Sequence, residues 1–159
     1  MNLDKLQFII EHFYVYAMLF YLVLCGFRTI VDISTIQYYI TKYTFGLLGN
    51  MGFWGFSGHI FYSRKTAKLI GWKSNGFQWE VGMTDLAIGI LGTLSSLDIY
   101  SSGFRLATII LSTIFLWGAA INHILEYIYK HNKSPLNSNI VLFYDILIPF
   151  ILLFNISMI

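Results

Sequence analysis

Five long apolar segments occupy most of this chain, and each is close to the length that crosses a lipid bilayer. A membrane-spanning helix needs about 20 mostly apolar residues to cross roughly 30 Å of hydrocarbon. The segments lie at about residues 6–27, 43–62, 79–97, 106–129 and 139–157. Residues 28–42 predict a surface turn followed by an amphipathic lead-in helix. The predicted fold is all-α: a polytopic membrane helical bundle of about five transmembrane helices, with residues 1–159 forming a single domain.

The composition agrees with a membrane protein and excludes other classes. Of the 159 residues, 57% are hydrophobic and only 11% are charged, whereas a soluble domain carries about 25% charged residues. A soluble globule and a disordered chain are therefore excluded. The net charge of +2 is too small for nucleic-acid binding, and the single Cys25 excludes an internal disulfide and a cysteine-based zinc site. The expected partner is the lipid bilayer, and no nucleic acid is expected.

The orientation is predicted from Lys and Arg, which are more frequent in cytoplasmic loops. With the N-terminus inside, the inner face carries Lys5, Arg64, Lys65, Lys68, Lys73, Lys130 and Lys133, and the outer face carries Arg28, Lys42 and Arg105. We therefore expect a multi-pass protein of the cytoplasmic (inner) membrane with a cytoplasmic N-terminus. Glu11 and His12 interrupt the first apolar run, so we expect a retained helix rather than a signal peptide. Residues 63–72 fit either a short helix on the inner surface or an ordinary positively charged loop.

Glycine recurs at every third residue of the second segment. The five positions are Gly46, Gly49, Gly52, Gly55 and Gly58. Small residues let membrane helices approach closely, since lipid supplies no hydrophobic drive between them. This pattern predicts a central second helix, with Gly82, Gly89 and Gly92 of the third segment and residues 118–120 of the fourth as its counterparts.

Eight ionisable residues lie inside the predicted spans, where such residues are costly and indicate function. They are Glu11, His12, His59, Glu80, Asp85, His123, Glu126 and Asp145. With a rise of about 1.5 Å per residue, all of them fall in the inner half of the membrane although the chain direction alternates. This common depth predicts one shared polar site that binds a ligand through His59, Glu80, His123, Glu126 and Asp145, with Glu11 and His12 closing it. The alternative is a set of polar groups that each satisfy a separate packing contact.

His123 and Glu126 lie three residues apart, so they share one face of a helix. Together with His59 they offer imidazole and carboxylate ligands that suit a divalent metal such as Zn, Fe or Mn. A proton-linked hydrogen-bond network would use the same residues without a metal. No catalytic residue is assigned.

Pro149 follows Asp145 by four residues. Proline has no N–H and its ring displaces the carbonyl one turn earlier. The pattern predicts either a free carbonyl oxygen beside the Asp145 carboxylate or a simple kink in the last helix.

Three short motifs resemble a family of small prokaryotic integral membrane proteins of unknown function. They are GFSGHIF at residues 55–61, IGW at residues 70–72 and FQWEVG at residues 77–82. The likeness continues through residues 118–123 and 132–135, and covers roughly residues 45–150. The resemblance implies a helical membrane fold and no activity. Members often have Asn where this chain has Asp85, so the resemblance gives Asp85 the least support among the members of the predicted polar site.

The leading functional prediction is a binding or transport protein with a polar site open to the cytoplasm. Its ligand would be a metal ion, a proton-coupled solute or a lipid head group. A chain of this length would need a homodimer to form a transport path. One alternative is a membrane-embedded enzyme that uses a His/Glu pair on a lipid-soluble substrate. The other is a structural or accessory subunit that binds another membrane protein through the five glycines of the second segment, which we call the glycine ridge.

Overall fold

The structure is a computed structural model that describes residues 33–156, and these residues form helices and connecting turns without a β-strand. The helices are α1 (Ile33–Phe61), α2 (Ser63–Ile70), α3 (Phe77–Ser95), α4 (Ser102–Lys130), α5 (Pro135–Ser138) and α6 (Ile140–Phe154). The predicted all-α class is confirmed for this part of the chain. The first predicted span, including Glu11 and His12, lies outside the described residues.

Helices α3, α4 and α6 begin and end within a few residues of the third, fourth and fifth predicted segments. The second predicted segment, residues 43–62, lies almost entirely within α1, which is one continuous helix from Ile33. Polar residues do not interrupt it, since the Thr41 and Thr44 hydroxyls donate to carbonyl oxygens one turn earlier, at 2.8 and 2.7 Å. The expected lead-in helix and the expected span are therefore a single element.

Among the described residues, the most extensive helix–helix contact joins α1 to α3. A Cβ atom added at Gly52 would lie 2.5 Å from the carbonyl oxygen of Asp85 and 2.6 Å from the Cα of Gly89. A Cβ added at Gly92 would lie 2.6 Å from the backbone nitrogen of Gly49. The two backbones can approach this closely only because both helices carry glycine on the facing sides. The predicted pairing with Gly89 and Gly92 is confirmed.

The predicted role of Gly118 as a further counterpart of the glycine ridge is not supported. A Cβ added there meets nothing within 4 Å among the described residues, so no close backbone contact requires glycine at this position. Helix α4 instead packs mainly against α6. The described part of the bundle thus consists of two helix pairs, α1 with α3 and α4 with α6, joined by smaller contacts between α3 and α4 and between α1 and α6.

The apolar core lies where the two pairs meet, and every described helix contributes to it. Its buried members are Phe45, Leu48, Leu69, Ile70, Ile88, Ile109, Leu116, Leu136, Tyr144, Ile148 and Leu152. Leu69 and Ile70 belong to α2, the segment that the sequence left open between a surface helix and a loop. It is a helix, and its apolar side packs into the protein.

One end of the bundle carries α2 and the turn after it, together with the end of α4. We call it the basic end, because Arg64, Lys65, Lys68, Lys73 and Lys130 lie there. Gly71 ends α2 in a left-handed conformation, with φ 85°. Its Cα is enclosed by the side chains of Asn132 and Ser134, so a residue with a side chain would be both strained and crowded there.

Ion pairs fasten the opposite end of the bundle. Asp98, in the α3–α4 turn, accepts a hydrogen bond from Lys42 at 2.6 Å and another from the Tyr38 hydroxyl. These hydrogen bonds, that of Lys42 above all, hold the pKa of the Asp98 carboxyl below its usual range. Arg105 lies 3.5 Å from the same carboxylate and donates to the carbonyl oxygen of Ser95 at 3.0 Å. The cluster therefore links α1, the end of α3 and the start of α4.

Among the described residues, two segments are long and apolar enough to cross a membrane by length and composition. They are Ser102–Lys130, which is α4, and Pro135–Phe154, which joins α5 to α6.

Helix α6 stays continuous past the buried Pro149. The indole N–H of Trp117 donates to the nearby carbonyl oxygen of Ile146 at 3.4 Å.

The glycine contact predicts an asymmetry between two Gly→Ala variants. Gly52→Ala should lower the free energy of unfolding by about 1–3 kcal/mol, because the new methyl group meets backbone atoms that cannot rotate away. Gly118→Ala is the matched control within a helix. It should leave stability unchanged or raise it by up to about 1 kcal/mol through helix propensity. Thermal unfolding in detergent measures both, and equal midpoints for the two variants would contradict the close packing of α1 on α3.

Candidate functional site

A cavity of about 500 Å³ lies between the α1–α3 pair and the α4–α6 pair. Most of its lining is apolar and includes Leu48, Trp54, Trp72, Ile88 and Phe115. Ligand pockets typically measure about 300–1,000 Å³ and combine an apolar lining with a few polar groups. The cavity has the size and the character of such a pocket.

Four ionisable side chains line this cavity, and each comes from a different helix. They are His59 from α1, Asp85 from α3, His123 from α4 and Asp145 from α6. A polar group buried in apolar surroundings costs free energy unless it is paired. Their convergence in one cavity is therefore the main feature of the structure that a packing role does not explain.

His123 is held by Asn137, a fully buried residue of α5. The Asn137 amide nitrogen donates to the carbonyl oxygens of Asn132 and His123, at 2.9 and 3.2 Å. These two bonds orient the amide so that its oxygen faces His123 Nδ1 at 2.9 Å. Nδ1 must then carry the hydrogen, since an amide oxygen only accepts. The ring also stacks on Trp72, with centroids 5.8 Å apart and planes 17° apart.

His123 Nε2 faces the Asp145 carboxylate, with Nε2 and Oδ2 separated by 4.0 Å. This distance exceeds a hydrogen bond. Asp145 is only 2% exposed, and no residue within 33–156 donates a hydrogen bond to its carboxylate. The pair is therefore a buried base beside a buried acid, with both groups open to the cavity.

His59 and Asp85 line the α1–α3 side of the cavity. His59 Nδ1 lies 2.9 Å from the side-chain oxygen of Gln78, near the start of α3. The Asp85 carboxylate fills the space that Gly55 leaves open, because a Cβ at Gly55 would lie 2.6 Å from Asp85 Oδ2. The glycine ridge thus has a second effect, which is to make room for a carboxylate.

A second, more open pocket of about 460 Å³ lies at the basic end. We call it the vestibule. It is lined by His59, Gly71, Trp72, Lys73, Asn75, Phe77, Gln78, Val81, Glu126 and Lys130. His59, Trp72 and Val81 line both the vestibule and the cavity. The hydrogen-bonded pair of His59 and Gln78 therefore stands at the partition between them.

The structure brings together only part of the predicted site. His59, His123 and Asp145 share the cavity, as expected. Glu126 lies in the vestibule, where it pairs with Lys130 and accepts a hydrogen bond from Asn132 at 3.4 Å. Glu80 is exposed and lines neither pocket. The residues expected to close the site, Glu11 and His12, lie outside the described range.

The geometry gives no support to the expected metal site of His59, His123 and Glu126. Within residues 33–156, no three His, Cys, Asp or Glu side chains are grouped so that they could hold a metal ion. The reason is their direction: Glu126 points to the vestibule and its lysine, whereas His123 points to Asn137 and Asp145.

Comparison with known proteins places the chain in a family. Residues 8–158 match the model of DUF6790, which is described as a family of unknown function. The chain belongs to this family. No curated protein and no solved structure matches it. The expected membership of a family without assigned function is confirmed, and the family carries no activity over to this chain.

Sequence reasoning missed three residues that shape the site: Gln78, Trp72 and Asn137. Gln78 and Trp72 stand within the motifs FQWEVG and IGW, of which only Glu80 is part of the predicted site. Asn137 lies between two predicted spans, and no sequence pattern around it indicates its role. That role depends on hydrogen bonds between α5 and His123 of α4.

The amide of Asn137 yields a prediction about stability. Asn137→Ala should lower the free energy of unfolding by at least about 2 kcal/mol, since it leaves His123 Nδ1 and the Asn132 carbonyl oxygen unpaired, at about 1–3 kcal/mol for each buried group. The exposed Asn122, one residue before His123, provides the control Asn122→Ala. Chemical unfolding in detergent measures the difference. Equal stability of the two variants would mean that Asn137 does not hold His123.

Proposed function

We propose that this chain is an integral membrane protein that binds a small ligand in the cavity between its helix pairs. The bundle would have about five membrane spans, counting the apolar segment 6–27. The observation that carries the proposal is the convergence of His59, Asp85, His123 and Asp145, from four helices, on one apolar cavity. Such a cavity with convergent polar groups is the usual form of a small-molecule site.

The outer surface of α4 supports the membrane assignment. Ile114, Ile121 and Ile128 are 71%, 59% and 55% exposed, and their spacing of seven residues puts them on one side of the helix. On α6, Phe150 and Phe154 are exposed as well. Soluble monomers rarely expose contiguous large apolar surfaces of this kind, which are typical of membrane contact.

The basic end supports an orientation. Exposed aromatic side chains surround it: Phe61, Tyr62, Phe77, Trp79, Tyr127 and Tyr129. Aromatic residues concentrate where a membrane meets water, and Lys and Arg concentrate on the cytoplasmic side. The vestibule would then open to the cytoplasm, and the Lys42–Asp98–Arg105 cluster would face the outside.

A second candidate is an enzyme that acts on a lipid-soluble substrate. The observation that favours it is the His123–Asp145 pair, a base and an acid 4.0 Å apart in an apolar cavity. Turnover of a bound compound by the purified protein, abolished by His123→Gln, would favour catalysis over binding.

The orientation is tested with reporter fusions. A reporter that is active only in the cytoplasm should be active when inserted near Lys68 and inactive when fused after Ile159, because cations mark the inner face. The protein should also remain in the membrane after an alkaline carbonate wash. The reverse pattern of reporter activity, or release into the soluble fraction, would contradict the proposed topology.

The binding function is tested by filling the cavity. Ala119 lines the cavity on α4, and Ala107 is exposed on the same helix, so Ala119→Phe and Ala107→Phe are matched variants. Native mass spectrometry of the purified parent should detect a small molecule held by the protein. Ala119→Phe should reduce its occupancy at least tenfold, and Ala107→Phe should not. Equal occupancy in both variants would place the molecule elsewhere and contradict the proposal.

A further inference from the structure

Asp85 and Asp145 have no hydrogen-bond donor among the residues that the structure describes, although carboxylates in apolar surroundings normally have one. Within residues 33–156, no side chain or backbone N–H donates a hydrogen bond to Asp85 or Asp145. Both carboxylates line the same cavity. An ionised carboxylate without a partner costs several kcal/mol in apolar surroundings. Some positive charge, either a proton or a ligand, must therefore accompany them.

No lysine or arginine within residues 33–156 supplies that charge. No lysine or arginine is among the described residues that line the cavity. The cations Lys42 and Arg105 are paired at the opposite end, and Lys130 is paired with Glu126 at the vestibule. Among the described residues that line the cavity, the other titratable groups are the two histidines, His59 and His123.

The neutral form of His123 increases the need for a positive charge. Since Nδ1 carries the hydrogen that Asn137 accepts, Nε2 of the neutral ring presents a lone pair toward Asp145. A lone pair and an ionised carboxylate oxygen repel each other. The gap of 4.0 Å between them is stable when a proton or a cation compensates the charge.

We propose that the natural ligand of the cavity is a small organic cation, with its charged centre between Asp85 and Asp145 and its apolar body against Trp54, Trp72 and Phe115. Aromatic faces attract cations as well as hydrocarbon. In the empty cavity, protons neutralise the carboxylates. Each bound monovalent cation then releases one proton to solvent, so the total charge of the cavity does not change. The inference rests on the proposed binding function and names its ligand class.

The test uses a pair of compounds that differ in charge and not in shape. Benzyltrimethylammonium carries a fixed charge at every pH, and neopentylbenzene replaces its nitrogen by carbon. Calorimetry on the full chain in detergent should give tighter binding of the cation, with an affinity that rises about tenfold per pH unit while one proton is displaced. Binding of neopentylbenzene should be independent of pH.

Three carboxylate variants complete the experiment. Asp145→Asn and Asp85→Asn should each weaken binding of benzyltrimethylammonium at least tenfold and leave neopentylbenzene binding intact, which also shows that the variants fold. Asp98→Asn removes a carboxylate from the distant ion-pair cluster and should change neither. Equal binding of the two compounds by the parent, or cation binding that is independent of pH, would overturn the cation inference and leave the binding function standing. If neither compound binds the folded parent, both fail.

Discussion

The structure depends on how closely α1 approaches α3. Their facing glycines let the backbones meet at distances that a single methyl group would block. This contact fixes two helices as one unit and leaves the space between that unit and the α4–α6 pair as a cavity. It also sets the position of Asp85, whose carboxylate occupies the space beside Gly55. Packing and the candidate site therefore have the same origin in the sequence.

The second constraint is that polar groups in apolar surroundings need hydrogen-bond partners. Asn137 donates to a backbone carbonyl oxygen and orients the His123 ring. Gln78 orients the His59 ring through a single hydrogen bond. The two histidines are thus held on their Nδ1 sides, whereas neither cavity carboxylate accepts a hydrogen bond from residues 33–156. A network that satisfies the bases and leaves the acids open differs from ordinary packing, in which buried polar groups are paired. This difference points to a ligand.

Periodicity and glycine spacing were enough to predict the long helices and the α1–α3 contact, because both are one-dimensional patterns with a direct physical cause. Depth along a helix was equally predictable, so the convergence of His59, His123 and Asp145 was expected. Rotation about the helix axis was neglected. At about 100° per residue, Glu80 lies on a different side of α3 from Gly82, Gly89 and Gly92, and the structure leaves it exposed.

Asp85 had the least support from the sequence, because relatives often have Asn at this position. Its predicted depth in the membrane nevertheless matched that of the other polar residues. The pairing of Glu126 with Lys130 was also visible as an i, i+4 pair, and such a partner removes the need for a metal. The supporting roles of Asn137 and Gln78 depend on tertiary contacts between distant segments, which no local pattern encodes.

The central claim is that His123 and Asp145 face each other in the cavity. Solid-state NMR of the protein in bilayers, with ¹⁵N in histidine and ¹³C in the aspartate carboxyl carbon, measures this directly through their dipolar coupling. The His123 Nε2 signal, assigned by its loss in His123→Gln, should dephase, because the labelled carboxyl carbon is bonded to Oδ2, which lies 4.0 Å from Nε2. The effect should disappear in Asp145→Asn when that variant is labelled in the same way. An Nε2 signal without dephasing in the parent would show that the imidazole points away from the carboxylate, and would contradict the shared site.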